Sequence, residues 1–189
     1  NARVGGLKYA DLDGNGVINE KDQTWILNPV PAFSYGLNIA LTYKNFDLTM
    51  FWQGVADVDV YNNQKFQTDF WSITDAGSNK GSRLLGAWTT DNTSSTIPAL
   101  TTNNTADEGR VSSYFVENGS YLKLRTLQLG YNLPTSLLNK LLLTKARIYF
   151  SGQNLLTIKS NSLTCSDPEN PNWSYPLASS VSFGLQIGF

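Results

Sequence analysis

The feature that most constrains this chain is a strict alternation of apolar and polar residues over long stretches. In residues 33–43 every second side chain is large and apolar, and those between them are small or polar. Successive side chains of a β-strand point to opposite faces, so this pattern predicts a strand with one apolar and one polar face. The apolar face consists of Phe33, Tyr35, Leu37, Ile39, Leu41 and Tyr43.

The same alternation recurs four more times along the chain. Further strands are predicted at residues 46–53, 115–133, 145–158 and 181–189, with short helical turns at residues 63–71 and 136–142. In the strand at residues 115–133 the apolar positions change phase near Arg125 and Thr126. This change predicts a β-bulge or the point where the strand leaves the membrane.

The connections between these strands are alternately short and long. Residues 44–45 and 134–144 are short connections, whereas residues 1–32, 56–113 and 159–180 are long. A structureless loop as long as residues 56–113 is unusual in a compact soluble domain. Short periplasmic turns and long outer loops are typical of transmembrane barrels, and about 9–11 residues of tilted strand cross a bilayer.

The predicted fold is therefore all-β, with about five strands of a large antiparallel transmembrane β-barrel. Residues 1–32 are predicted to form an extracellular loop. Residues 33–189 are predicted to form barrel strands with long outer loops at about 56–113 and 159–180. The alternative is a soluble β-sandwich, whose strands also alternate but are usually shorter, at about 5–6 residues.

The composition argues against several functional classes. There is no histidine, and the single cysteine, Cys165, has no partner for an internal disulfide or a Cys/His metal cluster. The net charge is -1 and there is no basic stripe, so the sequence does not predict a nucleic-acid-binding protein. We expect no enzymatic activity, although a hydrolase acting through a pair of carboxylates is an open alternative.

Residues 11–22 match the pattern of an EF-hand-type calcium loop, in which oxygen ligands recur at alternate positions and a glycine makes the sharp turn. The predicted ligands are Asp11, Asp13, Asn15, Val17, Asn19 and Asp22. Asp22 stands where the usual loop has a bidentate glutamate. A structural calcium ion is the predicted cofactor, and the alternative is a solvated turn rich in Asn, Asp and Gly.

Large aromatic residues occur in the predicted outer loops. Tyr61, Trp71, Trp88 and Trp173 could stack on sugars or pack against a lid protein. Alternatively, they anchor the loops or the membrane interface.

The last eight residues resemble the C-terminal assembly signal of bacterial outer-membrane proteins. The defining positions of that signal are polar, glycine, hydrophobic and aromatic, and here they are Ser182, Gly184, Ile187 and Phe189. The wider chain resembles the C-terminal region of SusC-like TonB-dependent transporters. The matching stretches occur in family order at residues 9–19, 28–36, 43–48, 51–54, 117–124, 129–134 and 151–155.

This resemblance implies a Gram-negative outer-membrane importer whose barrel has about 22 strands, so five strands are a fragment of it. It also implies an N-terminal plug, energy from the TonB complex, contact with outer-membrane lipid, and a SusD-like surface lipoprotein that captures glycans, oligosaccharides or peptides. The competing hypothesis is a secreted, calcium-stabilised carbohydrate-binding β-sandwich, which would be soluble without detergent.

Overall fold

The structure is a computed structural model that describes residues 2–74, 80–102, 106–172 and 174–189, without the side chains of residues 70–74. The elements in chain order are β1 Phe33–Tyr43, β2 Phe46–Ala56, β3 Asp59–Tyr61, α1 Asn63–Thr74, β4 Val116–Asn118, β5 Tyr121–Asn132, α2 Thr135–Lys140, β6 Lys145–Lys159 and β7 Ser180–Gly188. Neither of the two α-helices in this described part has the length and hydropathy of a membrane span.

Five long strands form one antiparallel sheet in the order β1-β2-β5-β6-β7, and β3 and β4 form a second, two-stranded sheet. At one end of the five-stranded sheet the connections are short: residues 44–45 join β1 to β2, and residues 133–144 join β5 to β6. The connections at the other end, β2 to β5 and β6 to β7, are long. The predicted all-β fold and alternating connections are confirmed. Lys44 in the two-residue turn has a φ of 53°, as tight hairpin turns require.

Two sequence predictions need correction. The strand predicted at residues 115–133 is divided into β4 and β5, and Gly119 and Ser120 lie between them. The loop predicted at residues 56–113 also contains a strand that was not predicted, β3, whereas the helical turn predicted within it is present and extends to Thr74 as α1. Polar residues in this loop therefore support local structure that alternation alone could not reveal.

A β-bulge at Arg125 explains the change of phase in β5. Phe51 of β2 pairs with Thr126 while the next residue, Trp52, pairs with Leu124, so Arg125 has no partner on β2. On the other side, β6 places two residues, Asn154 and Leu155, opposite Arg125. The bulge brings the apolar residues above and below it onto the same face of the sheet.

The register aligns the apolar residues of all five strands on one face. Directly opposed residues in an antiparallel pair share a face. One transverse row contains Ile39, Met50, Leu127, Gly152 and Val181, and the row beside it contains Leu41, Leu48, Leu129, Phe150 and Phe183. The polar face carries rows such as Thr49, Gln128, Ser151 and Ser182.

The apolar face is widely exposed in this chain. Phe183 is 81% exposed and Leu37 is 56% exposed. Exposure of so many large apolar side chains marks contact with lipid or another protein. This face is therefore the lipid-facing side of the predicted barrel, and the polar face is the lumen side.

A cross-strand ion pair fixes the short-turn end of the lumen face. The guanidinium of Arg147 on β6 reaches over β5 to the carboxylate of Asp47 on β2, with Nε 3.0 Å from Oδ1, and Asn132 Nδ2 donates to the same oxygen at 3.0 Å. A Cβ at Gly130 would lie 2.5 Å from Arg147 Nε. Glycine is therefore required at this position of β5 to let the arginine pass.

The chain divides into two compact units. One contains residues 1–28, 60–117 and 171–174, and the other contains residues 29–59, 118–170 and 175–189. The first unit packs around Phe115, which is fully buried and has the rings of Tyr61 and Phe66 at 5.6 and 5.8 Å. In the same unit Asp69 accepts a 2.6 Å hydrogen bond from the Tyr114 hydroxyl and pairs with Arg83 at 2.7 Å.

The assignment of the two faces predicts unequal tolerance of charge in neighbouring residues of β5. Leu127→Arg in the full-length protein should lower the free energy of unfolding in lipid by about 2–4 kcal/mol, because it places a cation in the hydrocarbon. Gln128→Arg, one residue along and on the lumen face, is the matched control and should cost much less. Urea unfolding in lipid vesicles measures both variants, and equal costs would contradict the assignment.

Candidate functional site

Three carboxylates meet in the loop at residues 11–22. Ligand oxygens of Asp11, Asp13 and Asp22 all lie within 4.8 Å of one another. Gly14 and Gly16 have φ values of 72° and 80°, which let the backbone turn back on itself. Their N–H groups donate to Asp11 at 2.8 and 2.7 Å, so the turn is wrapped around that side chain.

Backbone hydrogen bonds also hold the third carboxylate of this loop. Asp22 closes a short 3₁₀ turn, Glu20–Asp22, in which Asn19 and Asp22 cap each other's backbone. The N–H groups of Asn19 and Leu12 donate to Asp22 at 2.7 and 2.8 Å. These hydrogen bonds, of which that from Asn19 has the larger effect, lower the pKa of the Asp22 carboxyl, so it is ionised at neutral pH.

The other predicted calcium ligands hydrogen-bond within the loop. Asn15 Oδ1 accepts from the N–H of Val17 at 2.8 Å, and the Val17 carbonyl accepts from Asn19 Nδ2 at 3.1 Å. The structure thus brings Asp11, Asp13 and Asp22 together, whereas the other three predicted ligands form hydrogen bonds within the turn. Carboxylate oxygens are the kind of ligand that a hard cation such as Ca²⁺ prefers.

Two open cavities of about 630 and 710 Å³ flank the loop, and both are lined by Tyr9, Ile18 and Arg110. The guanidinium of Arg110 stacks 4.8 Å from the centre of the Tyr9 ring and pairs with Asp107 at 2.6 Å. Burial raises the pKa of the Tyr9 hydroxyl to about 12. The sequence analysis did not select Tyr9 or Trp25 as candidate site residues. Trp25 is 97% exposed, and its only signal in the sequence is that it is a large aromatic residue in a polar stretch.

The aromatic residues predicted to bind ligand lie in different settings. Tyr61 is half-buried against Phe115, and the Trp88 ring packs on Gly5, where a Cβ would lie 2.4 Å from it. Trp71 is in α1 but its side chain lies outside the described residues, as does the whole of Trp173. The placement of Tyr61 and Trp88 suits loop anchors, and a role in ligand binding stays a prediction.

An ion cluster at the long-loop end of the sheet joins β5 to the connection between β6 and β7. Lys123, only 2% exposed, donates to Asp167 Oδ1 and Glu169 Oε2, both at 2.6 Å. Tyr121 donates to Glu169 Oε1 at 2.6 Å, and Arg125 pairs with the same carboxylate. We call Tyr121, Lys123, Arg125, Asp167 and Glu169 the outer cluster.

The carboxylates of the outer cluster are ionised. Burial by itself would raise the pKa of Asp167, but the hydrogen bond from Lys123 and the N–H groups of Glu169 and Leu177 outweigh it and lower that pKa. The pKa of Glu169 is lowered in the same way, against burial, by Lys123, Tyr121 and Arg125. Removing one partner of such a buried pair typically costs about 3–5 kcal/mol, because it leaves an uncompensated charge.

The residues of the predicted assembly signal lie on β7 and at its end. Phe183 contacts Phe150 of β6 with the rings 5.4 Å apart on the lipid-facing side. On the lumen face the Tyr149 ring covers Gly184, where a Cβ would lie 2.2 Å from it. The glycine of the signal is thus required by its neighbour on β6, and Phe189 follows the strand with 93% of its surface exposed.

Comparisons with known proteins agree on one group. No protein-family model matches the chain. It is similar to TonB-dependent receptor P3 of Formosa agariphila, with 39% identity over 81% of this chain and 14% of that protein. It is also 30% identical to the TonB-dependent receptor SusC of Bacteroides thetaiotaomicron, over 96% of this chain and 17% of SusC.

The solved structures give the same result. The structure of the RagAB peptide transporter matches with a TM-score of 0.71 and 26% identity, over 92% of this chain and 19% of that chain. The chain therefore spans about a fifth or less of the length of these three relatives.

The resemblance to the assembly signal predicts a role for the aromatic side chain of Phe189. Deleting Phe189 from the full-length protein should reduce the amount of folded, heat-modifiable barrel in the outer membrane, because it removes the aromatic end of the signal. Phe189→Tyr keeps an aromatic ring and should assemble normally. Immunoblots of unheated and heated membranes measure both, and normal assembly after the deletion would refute the signal.

Proposed function

The chain belongs to the SusC-like TonB-dependent receptors, as a C-terminal region of an outer-membrane protein, and on that premise we propose that the complete protein imports nutrients. The observation that carries this proposal is the two-sidedness of the sheet. Each of the five strands has an apolar face, with side chains such as Leu37, Leu129 and Phe183 exposed, and an opposite face rich in hydroxyl, amide and glycine residues. A wall of this kind separates lipid from a water-filled path.

We propose that a SusD-like surface lipoprotein captures the cargo and that the TonB complex supplies energy through parts of the protein outside this chain. The cargo is an oligomeric nutrient, either a peptide or a glycan. Peptide is favoured, because the solved relative RagAB is described as a peptide transporter.

Deletion of the gene from its own bacterium tests this function. Growth on oligopeptides as the limiting nutrient should fall and should return when the full-length protein is restored. Growth on free amino acids is the matched control and should not change. Loss of growth on oligosaccharides instead would identify a glycan importer, and unchanged growth on both would contradict an importing function for this protein.

We further propose that the acidic loop binds a structural Ca²⁺ through Asp11, Asp13 and Asp22. Three carboxylates whose oxygens lie within 4.8 Å of one another repel each other without a cation, even when they are solvated. Backbone N–H groups donate to Asp11 and Asp22, which opposes this repulsion. A bound cation would attract all three carboxylates and so hold residues 11–22 in one conformation.

Calcium removal tests this proposal. In the full-length protein, chelation should increase proteolytic cleavage within residues 11–22, and Asp13→Ala should show the same cleavage even with millimolar Ca²⁺. Asp91→Ala removes an exposed carboxylate elsewhere and should retain calcium-dependent protection. Barrel assembly should be normal in both variants, since the loop is outside the sheet.

Mass spectrometry of the cleaved fragments gives the readout. Calcium-independent cleavage of the unmodified protein would contradict the site. An experimental structure determined with calcium would also contradict the site if the carboxylate oxygens lay farther from the ion than the 2.3–2.6 Å expected for Ca²⁺.

A further inference from the structure

The connection between β6 and β7, residues 160–179, has no role in the function proposed so far. An outer loop that simply extends into solvent would be exposed along its length. Here Leu163, Cys165 and Asp167 are 4%, 0% and 5% exposed, while Thr164 and Ser166 between them are exposed. The segment 163–170, which we call the inner segment, is therefore packed on one side.

The inner segment packs on the lumen face of the sheet. Lys123 pairs with Gln53 on β2 and Thr157 on β6, which places it on the polar side. Tyr121 is two residues earlier on the same strand and points to the same side. Both side chains donate to carboxylates of the inner segment, so that segment lies over the lumen side at the outer end of the strands.

Further contacts hold residues 177–179, at the end of the connection. Asp167 Oδ2 accepts from the N–H of Leu177 at 3.1 Å, which ties the inner segment to the end of the loop. That end is attached to β6, because Asn154 Nδ2 donates to the Ala178 carbonyl and the Ser179 hydroxyl donates to the Asn154 carbonyl at 2.7 Å. The Cys165 thiol, in the middle, donates to the Asp167 carbonyl at 3.3 Å.

Electrostatics make Lys123 the residue on which this arrangement depends. Its ammonium group is almost completely removed from water, and a buried charge is tolerated only when it is paired and hydrogen-bonded. Its two partners both belong to the inner segment. Release of the inner segment would remove both carboxylates from the ammonium group of Lys123. These two ion pairs therefore hold the inner segment against β5.

We propose that Lys123 is a positioning residue that holds the inner segment over the lumen face, where the segment narrows the outer mouth of the import path and limits the size of the cargo. This proposal rests on the importing function proposed above. Arg125, at the bulge, donates to Gln53 and pairs with Glu169, and it secures the outer edge of the same segment.

Cys165 provides a direct readout of the position of the segment. In outer-membrane vesicles containing the full-length protein, a membrane-impermeant maleimide should leave Cys165 unlabelled, as judged by mass spectrometry of its peptide. Lys123→Met keeps the length of the side chain but removes its charge. It should increase the labelling rate by about tenfold or more, because reaction of a buried group follows local opening.

Two control variants separate positioning from general destabilisation. Lys123→Arg retains a cation and should keep Cys165 protected. Arg147→Met removes a paired cation at the other end of the same lumen face and should also leave Cys165 protected. If Lys123→Met does not assemble, Glu169→Gln weakens the same cluster at a residue whose side chain is 24% exposed, and it should give partial labelling.

Uptake of oligomers of graded length tests the consequence for transport. Lys123→Met should admit longer oligomers than the unmodified protein does, and Lys123→Arg should restore the original limit. Protected Cys165 in both Lys123→Met and Glu169→Gln would overturn the positioning role. A reactive Cys165 with an unchanged length limit would overturn the role in cargo size. Failure of the importing function would abolish uptake in every variant, including the unmodified protein, while the labelling pattern would remain.

Discussion

The structure depends on one register, in which five antiparallel strands align their apolar side chains on a single face. The register is interrupted once, at the β-bulge, where Arg125 has no partner on β2 and lies opposite two residues of β6. Without this bulge, the leucines of the upper half of β5 would face the lumen, since a slip of one residue exchanges the two faces of a strand. The bulge therefore keeps one side continuous for lipid.

Charged side chains on the lumen face form ion pairs in two places. Near the short turns Arg147 meets Asp47, and at the outer end Lys123 and Arg125 meet Asp167 and Glu169. The rows between them carry mainly hydroxyl and amide groups, together with Phe51 of β2. Hydroxyl and amide groups on such a face can hydrogen-bond to water.

The described parts of the long connections contain ordered structure. Phe115, Tyr61 and Phe66 pack together in the unit that contains the acidic loop, and the inner segment packs on the strands through Lys123. Ordered loops of this kind suit a receptor, because a binding surface built from fixed elements loses less conformational entropy when it engages a partner.

Alternation in the sequence was sufficient to place the five strands of the large sheet and their two faces, and to indicate a change of phase near Arg125, because the period of a strand is a local property of the chain. The acidic loop could also be predicted, since its three carboxylates lie within twelve residues. Tertiary structure alone decided that Lys123 pairs with Asp167, 44 residues away, and that Gly130 makes room for Arg147. It also decided that Tyr61 and Trp88 pack inside a unit. Such contacts depend on which distant segments the fold brings together, and no local pattern of residues records that.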